Sequence, residues 1–247
     1  MSEPRPSDTT DRSDHRQLDG SATRSTRNVA PHVRPLRPAD AAEAVEVIAR
    51  AFDTEPAHVA LLSDPEARRV AIAMNAHQAL LSAQRYATAY GVTAGSGLAA
   101  VALWIPPGGR KVSPGGVMQA MRTLAAGAAS IAGQIPGIAG TLRTDISGAV
   151  ELMRQRRPAV ARASRGATWE LTFIATSPEH QGSGFARALL ERQLRRCDED
   201  STAVWLETTD PVNESIYHRF GFETVAHIDG PSWLPGFWVM RRDPPPG

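Results

Sequence analysis

The chain has 247 residues, of which 42% are hydrophobic, and its 27 basic and 26 acidic residues leave a formal charge of +1. A chain of this length can bury a substantial core, while so small a net charge gives no electrostatic reason to expect a nucleic acid or an anionic membrane as partner. Cys197 stands alone in the sequence, which excludes an intramolecular disulfide framework and fits a cytoplasmic location.

The first thirty residues have the composition of a disordered tail. Residues 1–30 contain five arginines, five acidic residues and almost no large apolar side chain. They lack the apolar stretch of a signal peptide, and their acidic content is not typical of a transit peptide. We therefore expect the folded domain to occupy residues 31–243, followed by a short tail at 244–247.

Two helices are predicted after a first strand at residues 32–38. Asp40 and Glu43 have the spacing of a capping box, which places the start of the first helix there. Asp64 and Pro65 are typical of an N-cap and a first helical position, and they predict a second helix that continues to about residue 84.

A hairpin and an insertion follow. Residues 86–92 and 98–106 predict two antiparallel strands around a Gly-containing turn. Residues 113–165 are rich in Ala and Gly, and they predict a helical insertion between the third and fourth strands, in which Pro158 is expected to mark a break. Within it, residues 123–142 are uncharged and long enough to span a membrane, but they contain few Leu or Ile residues, so no span is predicted.

The most informative segment is a short apolar strand, a Pro-containing turn and a glycine loop that opens into a helix. It reads WELTFIATSPEHQGSGFARALL over residues 169–190. The start of a helix leaves backbone N–H groups without partners and carries partial positive charge, so it can bind a phosphate without a cationic side chain. The glycine spacing fits neither the dinucleotide fingerprint nor the P-loop, and no Lys follows.

Two motifs together carry a resemblance to a known family. Residues 181–186 read QGSGFA, which resembles the (R/Q)-x-x-G-x-(G/A) acyl-CoA pyrophosphate loop of the GNAT superfamily of N-acyltransferases. About thirty residues later, Asn213, Tyr217, Gly221 and Phe222 resemble the N-x-x-x-Y-x-x-x-G-F signature of the same superfamily. The resemblance implies an α/β (α+β) fold, with a mixed, mostly antiparallel twisted sheet of about seven strands flanked by helices.

Over roughly residues 33–242 the chain looks like the puromycin N-acetyltransferase branch. AFDTEPA, VALWIPPGG, WLETTDPVNESIYHRFGF and FWVMRR carry this narrower resemblance. It implies an antibiotic-acetylating lineage whose members commonly differ in acceptor, so it does not identify the acceptor of this chain.

The superfamily resemblance also implies the contacts of the donor, acetyl-CoA. The backbone N–H groups of the loop would hold the pyrophosphate, and the end of the fourth strand would pair with the pantetheine arm. The expected contacts come from Ile174, Ala175, Thr176, Gln181, Gly182, Ser183, Gly184, Phe185 and Ala186. Thr176 stands where a Val is usual, and a backbone contact is expected to tolerate that change.

Tyr217 corresponds to the general acid of the family, which protonates the departing thiolate; the alternative is an ordinary half-buried tyrosine. Because a phenol is a weaker acid than a thiol, its hydrogen bond is expected to supply much of the benefit. Asn213 lies one turn before it and is expected to face the same cleft, or else to cap the helix that follows Pro211.

A general base is needed because an alkylammonium must lose a proton before it attacks. Glu170 occupies the position of the catalytic glutamate of the histone-acetyltransferase branch, and strand alternation predicts that it shares a face with Thr172, Ile174 and Thr176. A structural salt bridge is the alternative for Glu170. Glu207 is the second candidate base, and partnership with a nearby arginine is its alternative.

Phe52 ends the first helix and is the one aromatic residue proposed to border the acceptor. The histidines beside the motifs lack metal-ligand spacing, so no metal is predicted.

The sequence therefore predicts an acetyl-CoA-dependent N-acetyltransferase, a monomer or homodimer, that acts on a primary amine of a small molecule such as an antibiotic or aminonucleoside. A protein lysine or chain N-terminus is the alternative acceptor. A non-catalytic acyl-CoA-binding regulatory domain is the alternative from another class.

Overall fold

The computed structural model describes residues 31–109 and 146–246, without the side chains of residues 146–150 and 153. Its strands form a seven-stranded sheet in the order β1-β2-β3-β4-β5-β7-β6. They are β1 Val33–Pro35, β2 Ala89–Ala94, β3 Gly97–Ile105, β4 Thr168–Thr176, β5 Ala203–Thr208, β6 Glu223–Ile228 and β7 Phe237–Arg242. Among these strands only β4 and β5 pair in parallel. The predicted mixed, mostly antiparallel sheet is confirmed.

Helices cover both faces of this sheet. They are α1 Ala41–Phe52, α2 Pro56–Leu61, α3 Pro65–Gln84, α4 Ile146–Ala163, α5 Phe185–Glu199 and α6 Pro211–His218. On one face, α1 and α3 pack on β3 and β4, with α2 and α4 beside them over β5 and β7. On the opposite face, α5 packs on the other side of the same strands and encloses the largest apolar cluster.

The start of α1 differs from the predicted capping box. The Asp40 carboxylate makes no capping bond to α1 and instead accepts hydrogen bonds from the guanidinium groups of Arg34 and Arg37. Glu43 accepts from the backbone N–H of Leu98, at 2.7 Å, and so joins α1 to β3. Asp40 also accepts the backbone N–H of Arg37 at 2.6 Å, so it caps the short 3-10 turn before α1 instead of α1 itself. Only Glu43 makes a long-range contact, which a local spacing rule does not anticipate.

The predicted start of α3 is confirmed, and a short helix before it was missed. The Asp64 side chain accepts from the backbone N–H of Ala67, and Pro65 occupies the first turn. Helix α2 has only six residues, with Glu55 as its N-cap and Pro56 in its first turn. So short a helix has no periodic apolar pattern that would reveal it.

A bulge in β4 overturns the predicted arrangement of its faces. Leu103 pairs with Phe173 and Trp104 pairs with Leu171, so Thr172 is left without a partner on β3. Leu171 consequently packs with α5, whereas Phe173 packs with α1 and α3. Glu170 and Ile174 therefore lie on opposite faces, and the prediction that they share one is wrong because it assumed uninterrupted alternation.

The predicted insertion is described only in its last part. Helix α4 lies between β3 and β4 in sequence and runs through Pro158, so the predicted break there is wrong. Residues 1–30 and 123–142, predicted as a tail and a weak membrane candidate, lie outside the described residues. Across the ranges that the structure does describe, no helix is long and apolar enough to cross a membrane.

Candidate active site

The sheet opens between its two parallel strands. Pairing between β4 and β5 ends at Leu171 and Leu206, although the strands continue to Thr176 and Thr208. Both strands run in the same direction, so their carboxyl ends separate at one edge. This opening exposes the β4 backbone to a ligand on the side where β5 has left it.

One end of the opening is bordered by the start of α5. Gly184 is the N-cap with a φ of +78°, and no side chain among the described residues caps the helix there. Gly182 has a φ of +76°, and a Cβ at either glycine would meet no atom within 4 Å. Phe185 and Ala186 lie in the first turn, where the backbone N–H groups of an α-helix have no intrahelical partners. A pyrophosphate fits such a surface because it needs N–H donors and close backbone approach.

The remaining N–H groups of the predicted loop are partly engaged. Gln181 donates its N–H to the Pro178 carbonyl at 3.4 Å, and Ser183 donates to the His180 carbonyl at 3.3 Å. Both bonds are long and shape the turn. Two of the six amides proposed to bind the pyrophosphate therefore also donate within the turn, and the role of all six stays a prediction.

The turn before this loop is fixed to the body of the domain. The buried Ser177 donates its backbone N–H to the Ala99 carbonyl at 2.8 Å, and its hydroxyl lies 2.9 Å from Nδ1 of His180. On the surface, Arg50 of α1 makes a bidentate pair with Glu179. These contacts hold the loop in place, which lowers the entropy lost when a ligand binds.

The three β4 residues predicted to meet the donor lie on alternating faces. Ala175 packs with α1 and α3, and Ile174 packs against the cluster under α5. The Thr176 hydroxyl is buried without a hydrogen-bond partner in the described chain, as is that of Thr172. Pairing of this backbone with pantetheine stays a prediction, which the opening beside β5 supports.

Tyr217 lies near the opening, in the helix that follows β5. Its side chain is 9% exposed and packs edge-on against Phe222, with ring centroids 5.6 Å apart. Its hydroxyl forms no hydrogen bond with any described residue, and burial raises its pKa well above the usual value of a phenol. The group therefore stays protonated at neutral pH and is free to donate.

Asn213 lies one turn before Tyr217 and is half-buried. The capping role considered as its alternative belongs to Asp210, whose carboxylate accepts from the N–H of Val212 at 2.8 Å. Asn213 therefore remains available for the donor.

The two carboxylates proposed as bases lie on the face opposite α5. Glu170 pairs across the parallel ladder with Trp205, which packs with α2 and α4. Glu207, two residues further along β5, accepts a bidentate pair from Arg156 of α4 at 2.7 and 2.6 Å. The arginine partnership considered for Glu207 is thus observed.

The end of α1 and the start of α2 cover the same face. Phe52 contacts Phe173 of β4 edge-on at 5.4 Å and His58 at 5.8 Å. Glu55 accepts a hydrogen bond from the Thr209 hydroxyl, just beyond β5. Sequence reasoning placed Phe52 here but missed Glu55 and His58; the one local signal was Pro56, a residue typical of a first helical position.

Metal chemistry was not predicted for this chain. In the described ranges no cluster of three or more His, Cys, Asp or Glu side chains is arranged to hold a metal ion.

The site combines an opened parallel pair, an uncapped helix start beside it and a buried tyrosine after the next strand, on a sheet that matches the GNAT acetyltransferase fold. Residues 161–225, from α4 into β6, match the family model of the acetyltransferase (GNAT) domain. The match is confined to that segment, which is about a quarter of the chain.

Individual relatives are more distant. A stretch of 55 residues, which is 22% of this chain, is 34% identical to an uncharacterised N-acetyltransferase of Schizosaccharomyces pombe. The match spans only 22% of the length of that curated relative. A Corynebacterium glutamicum structure, named histone acetyltransferase HPA2 and related acetyltransferase, gives a TM-score of 0.57 at 20% identity over 89% of this chain and 99% of that one.

A second solved structure, arylalkylamine N-acetyltransferase 2 of Aedes aegypti, gives a TM-score of 0.55 at 11% identity over 87% of this chain and 99% of that one. At such identities the likeness of these structures shows the fold alone.

Proposed function

We propose that this protein is an acetyl-CoA-dependent N-acetyltransferase that acetylates a primary amine of a small molecule by direct attack on the thioester. The opening between β4 and β5 carries the proposal. On the face covered by α5 it lies beside an uncapped helix start and a buried tyrosine, and its opposite face is covered by α2 and α4. GNAT acetyltransferases use acetyl-CoA as donor, and no metal is required.

The donor would lie along the opening. The N–H groups at the start of α5 would bind its pyrophosphate, and the β4 backbone beyond Leu171 would hydrogen-bond to the pantetheine amides. The acyl group would then reach the level of the bulge at Thr172. Asn213 would contact the donor from α6.

Tyr217 would donate its hydroxyl to the sulfur as the C–S bond breaks. A phenol near pKa 10 is already a weaker acid than a thiol near 8.5, by about 2 kcal/mol, and burial weakens the Tyr217 acid further. A hydrogen bond that strengthens as negative charge develops on sulfur is therefore the main contribution of Tyr217.

Glu170 and Glu207 stand as proposed proton acceptors, with unequal support. The bidentate contact with Arg156 stabilises the ionised form of Glu207 and occupies both of its oxygens, which argues against proton transfer. Glu170 lies further from the opening, level with the paired part of β5.

The contacts over the acceptor face support a small molecule. Helix α4 is joined to β5 through Arg156 and Glu207, and the start of α2 is joined to the end of β5 through Glu55 and Thr209. A face covered in this way favours a compact amine over a peptide laid in an open groove. We propose aminonucleosides of the puromycin type as the first acceptors to test, and a cytoplasmic enzyme that is monomeric or homodimeric.

Thermal unfolding with and without acetyl-CoA tests the donor. At a hundredfold excess over the dissociation constant, binding adds about 2.7 kcal/mol. For a domain of this size that corresponds to a rise in Tm of about 5 to 10 °C. No rise at millimolar acetyl-CoA would refute donor binding.

Release of CoA tests the acceptor, with puromycin, agmatine, tryptamine and a lysine-containing peptide as probes. Preference for one of the three small amines supports the proposal. Preference for the peptide would assign the protein-directed alternative. Stabilisation by acetyl-CoA without CoA release from any probe would favour the non-catalytic binding domain.

A further inference from the structure

A carboxylate and an imidazole that neither motif includes lie together on the acceptor face. Oε2 of Glu55 is 2.7 Å from Nδ1 of His58, and the two side chains are 11% and 15% exposed. The same carboxylate accepts the backbone N–H of His58 at 3.0 Å and the hydroxyl of Thr209. Glu55 is thus surrounded by donors and caps α2 at the same time.

The charge state of Glu55 fixes the form of the imidazole. Burial acts most strongly on its pKa and raises it, but the hydrogen bonds and charge of His58, together with the Thr209 hydroxyl, outweigh burial and leave the pKa below its ordinary value. Glu55 is therefore ionised at neutral pH and accepts a proton-bearing Nδ1. Whenever the ring of His58 is neutral, an N–H on Nδ1 leaves the lone pair on Nε2.

Nε2 of His58 is available to a ligand. It has no hydrogen-bond partner in the described parts of the chain, and it is not among the buried unpaired polar atoms there. Nδ1 is thus held by Glu55, while Nε2 has no partner among the described residues.

The position of the pair relates it to both strands of the opening. Phe52 contacts His58 on one side and Phe173, next to the bulge of β4, on the other. Thr209, which holds Glu55, directly follows β5. The segment from Phe52 to His58 therefore bridges the two diverging strands on the face opposite α5. An acceptor amine would approach the thioester from this face.

We propose that His58 is the general base of this acetyltransferase and that Glu55 is the positioning residue that orients it; this inference rests on the proposed function. Nε2 takes a proton from the acceptor ammonium, whose freed lone pair forms the new C–N bond with the acyl carbon. The C–S bond breaks, and the sulfur takes the second proton that the attacking nitrogen loses, either directly or through Tyr217. The protonated imidazole then releases its proton to solvent, so that ammonium and thioester become amide, thiol and one proton.

Two arginines on the elements around α2 are held by carboxylates. Arg68 of α3 lies 3.3 Å from Asp53 and also donates to backbone carbonyls, while Arg156 of α4 is paired with Glu207 of β5. Glu170 of β4 is the other carboxylate proposed above as a base. The comparison that matters is therefore between His58 and Glu170, with Glu207 as a third variant.

The test uses the full chain with puromycin and agmatine as acceptors. His58→Asn keeps an N–H donor for Glu55 but removes the base, and His77→Asn on the exposed side of α3 is the matched control. We expect His58→Asn to lower kcat by about 10²- to 10⁴-fold, the range for a lost general base. The acidic limb of kcat/KM should disappear with it.

Three further readouts separate catalysis from folding. The rise in Tm with acetyl-CoA should be the same in the wild type, His58→Asn and His77→Asn. Added imidazole should restore part of the activity of His58→Ala, which a purely structural role would not permit. Glu55→Gln should lower kcat less than His58→Asn does, with the KM for acetyl-CoA unchanged.

The outcomes distinguish this inference from the proposed function. If acetyl-CoA fails to stabilise the wild type, or if none of the amines is acetylated, the proposed function fails and the inference with it. If the wild type is active and His58→Asn retains its kcat and acidic limb, the function stands and His58 is not the base. Loss of the limb in Glu170→Gln instead would assign the base to Glu170.

Discussion

Replacement of Tyr217 by Phe removes one hydroxyl and little else. The ring would keep its edge-on contact with Phe222, 5.6 Å between centroids, and the hydroxyl has no partner among the described residues that the change would strand. We therefore expect the free energy of unfolding to change by less than about 1 kcal/mol. The affinity for acetyl-CoA, measured by its effect on Tm, should be nearly unaltered.

The catalytic effect follows from the acidity of the phenol. Full proton transfer to a free thiolate is uphill by at least about 2 kcal/mol from the ordinary pKa values, and burial raises the pKa of Tyr217 further. What is lost is then a hydrogen bond to a developing charge, which contributes about 1.5–3 kcal/mol. With about 1.36 kcal/mol for each factor of ten, kcat should fall by about 10- to 150-fold.

Steady-state CoA release, measured across pH for the wild type and Tyr217→Phe, checks this reasoning. Because burial keeps the phenol protonated, ionisation of Tyr217 should cause no loss of wild-type activity below about pH 10. An unchanged kcat in the variant would exclude Tyr217 from the reaction. An alkaline limb below that pH, present in the wild type and absent in the variant, would refute the argument from burial.

Three other perturbations test the donor loop, the acceptor face and the start of α1. Gly184→Ala and Gly95→Ala place a Cβ at similar positive φ with no atom within 4 Å, so each should cost about 1–2 kcal/mol of stability, yet only Gly184→Ala should reduce the rise in Tm that acetyl-CoA gives. Glu207→Gln should lower stability by about 1 kcal/mol through its lost pair with Arg156 and leave kcat within about threefold; a loss near a hundredfold would return Glu207 to the candidate bases. Asp40→Asn should lower the free energy of unfolding by about 1–3 kcal/mol at pH 7, where urea titration measures it, because hydrogen bonds from its arginine partners hold the pKa of Asp40 well below its ordinary value. That stability is present above the unfolded pKa of about 3.9 and is lost below it, so the difference from wild type must shrink below pH 4.

Local signals in the sequence were enough for several elements of this fold. Asp64 and Pro65 set the start of α3 because an N-cap bond and a proline φ involve only neighbouring residues. The same holds for the glycine loop before α5, whose positive φ values and uncapped helix start involve only residues of one turn. The order of the two motifs along the chain then predicted the mixed sheet and an acetyltransferase.

Features that depend on contacts between distant segments were not predictable in this way. The bulge at Thr172 reverses the faces of β4, and strand alternation alone therefore misplaced Glu170 relative to Ile174. Glu43 has the spacing of a capping-box residue, yet its carboxylate accepts from the backbone N–H of Leu98, 55 positions away in β3.

The sequence by itself determined the glycine loop and helix start proposed to bind the donor, because their backbone geometry is set within a few residues. The tertiary structure decided the acceptor side, where Glu55 meets Thr209 across 154 positions and Arg156 reaches Glu207 across 51. Such contacts depend on strand order and on which helices cover each face, and both are set by burial of the whole apolar core. The motifs therefore predicted a site for the acetyl donor, whereas the proposal for His58 needed the contacts seen in the structure.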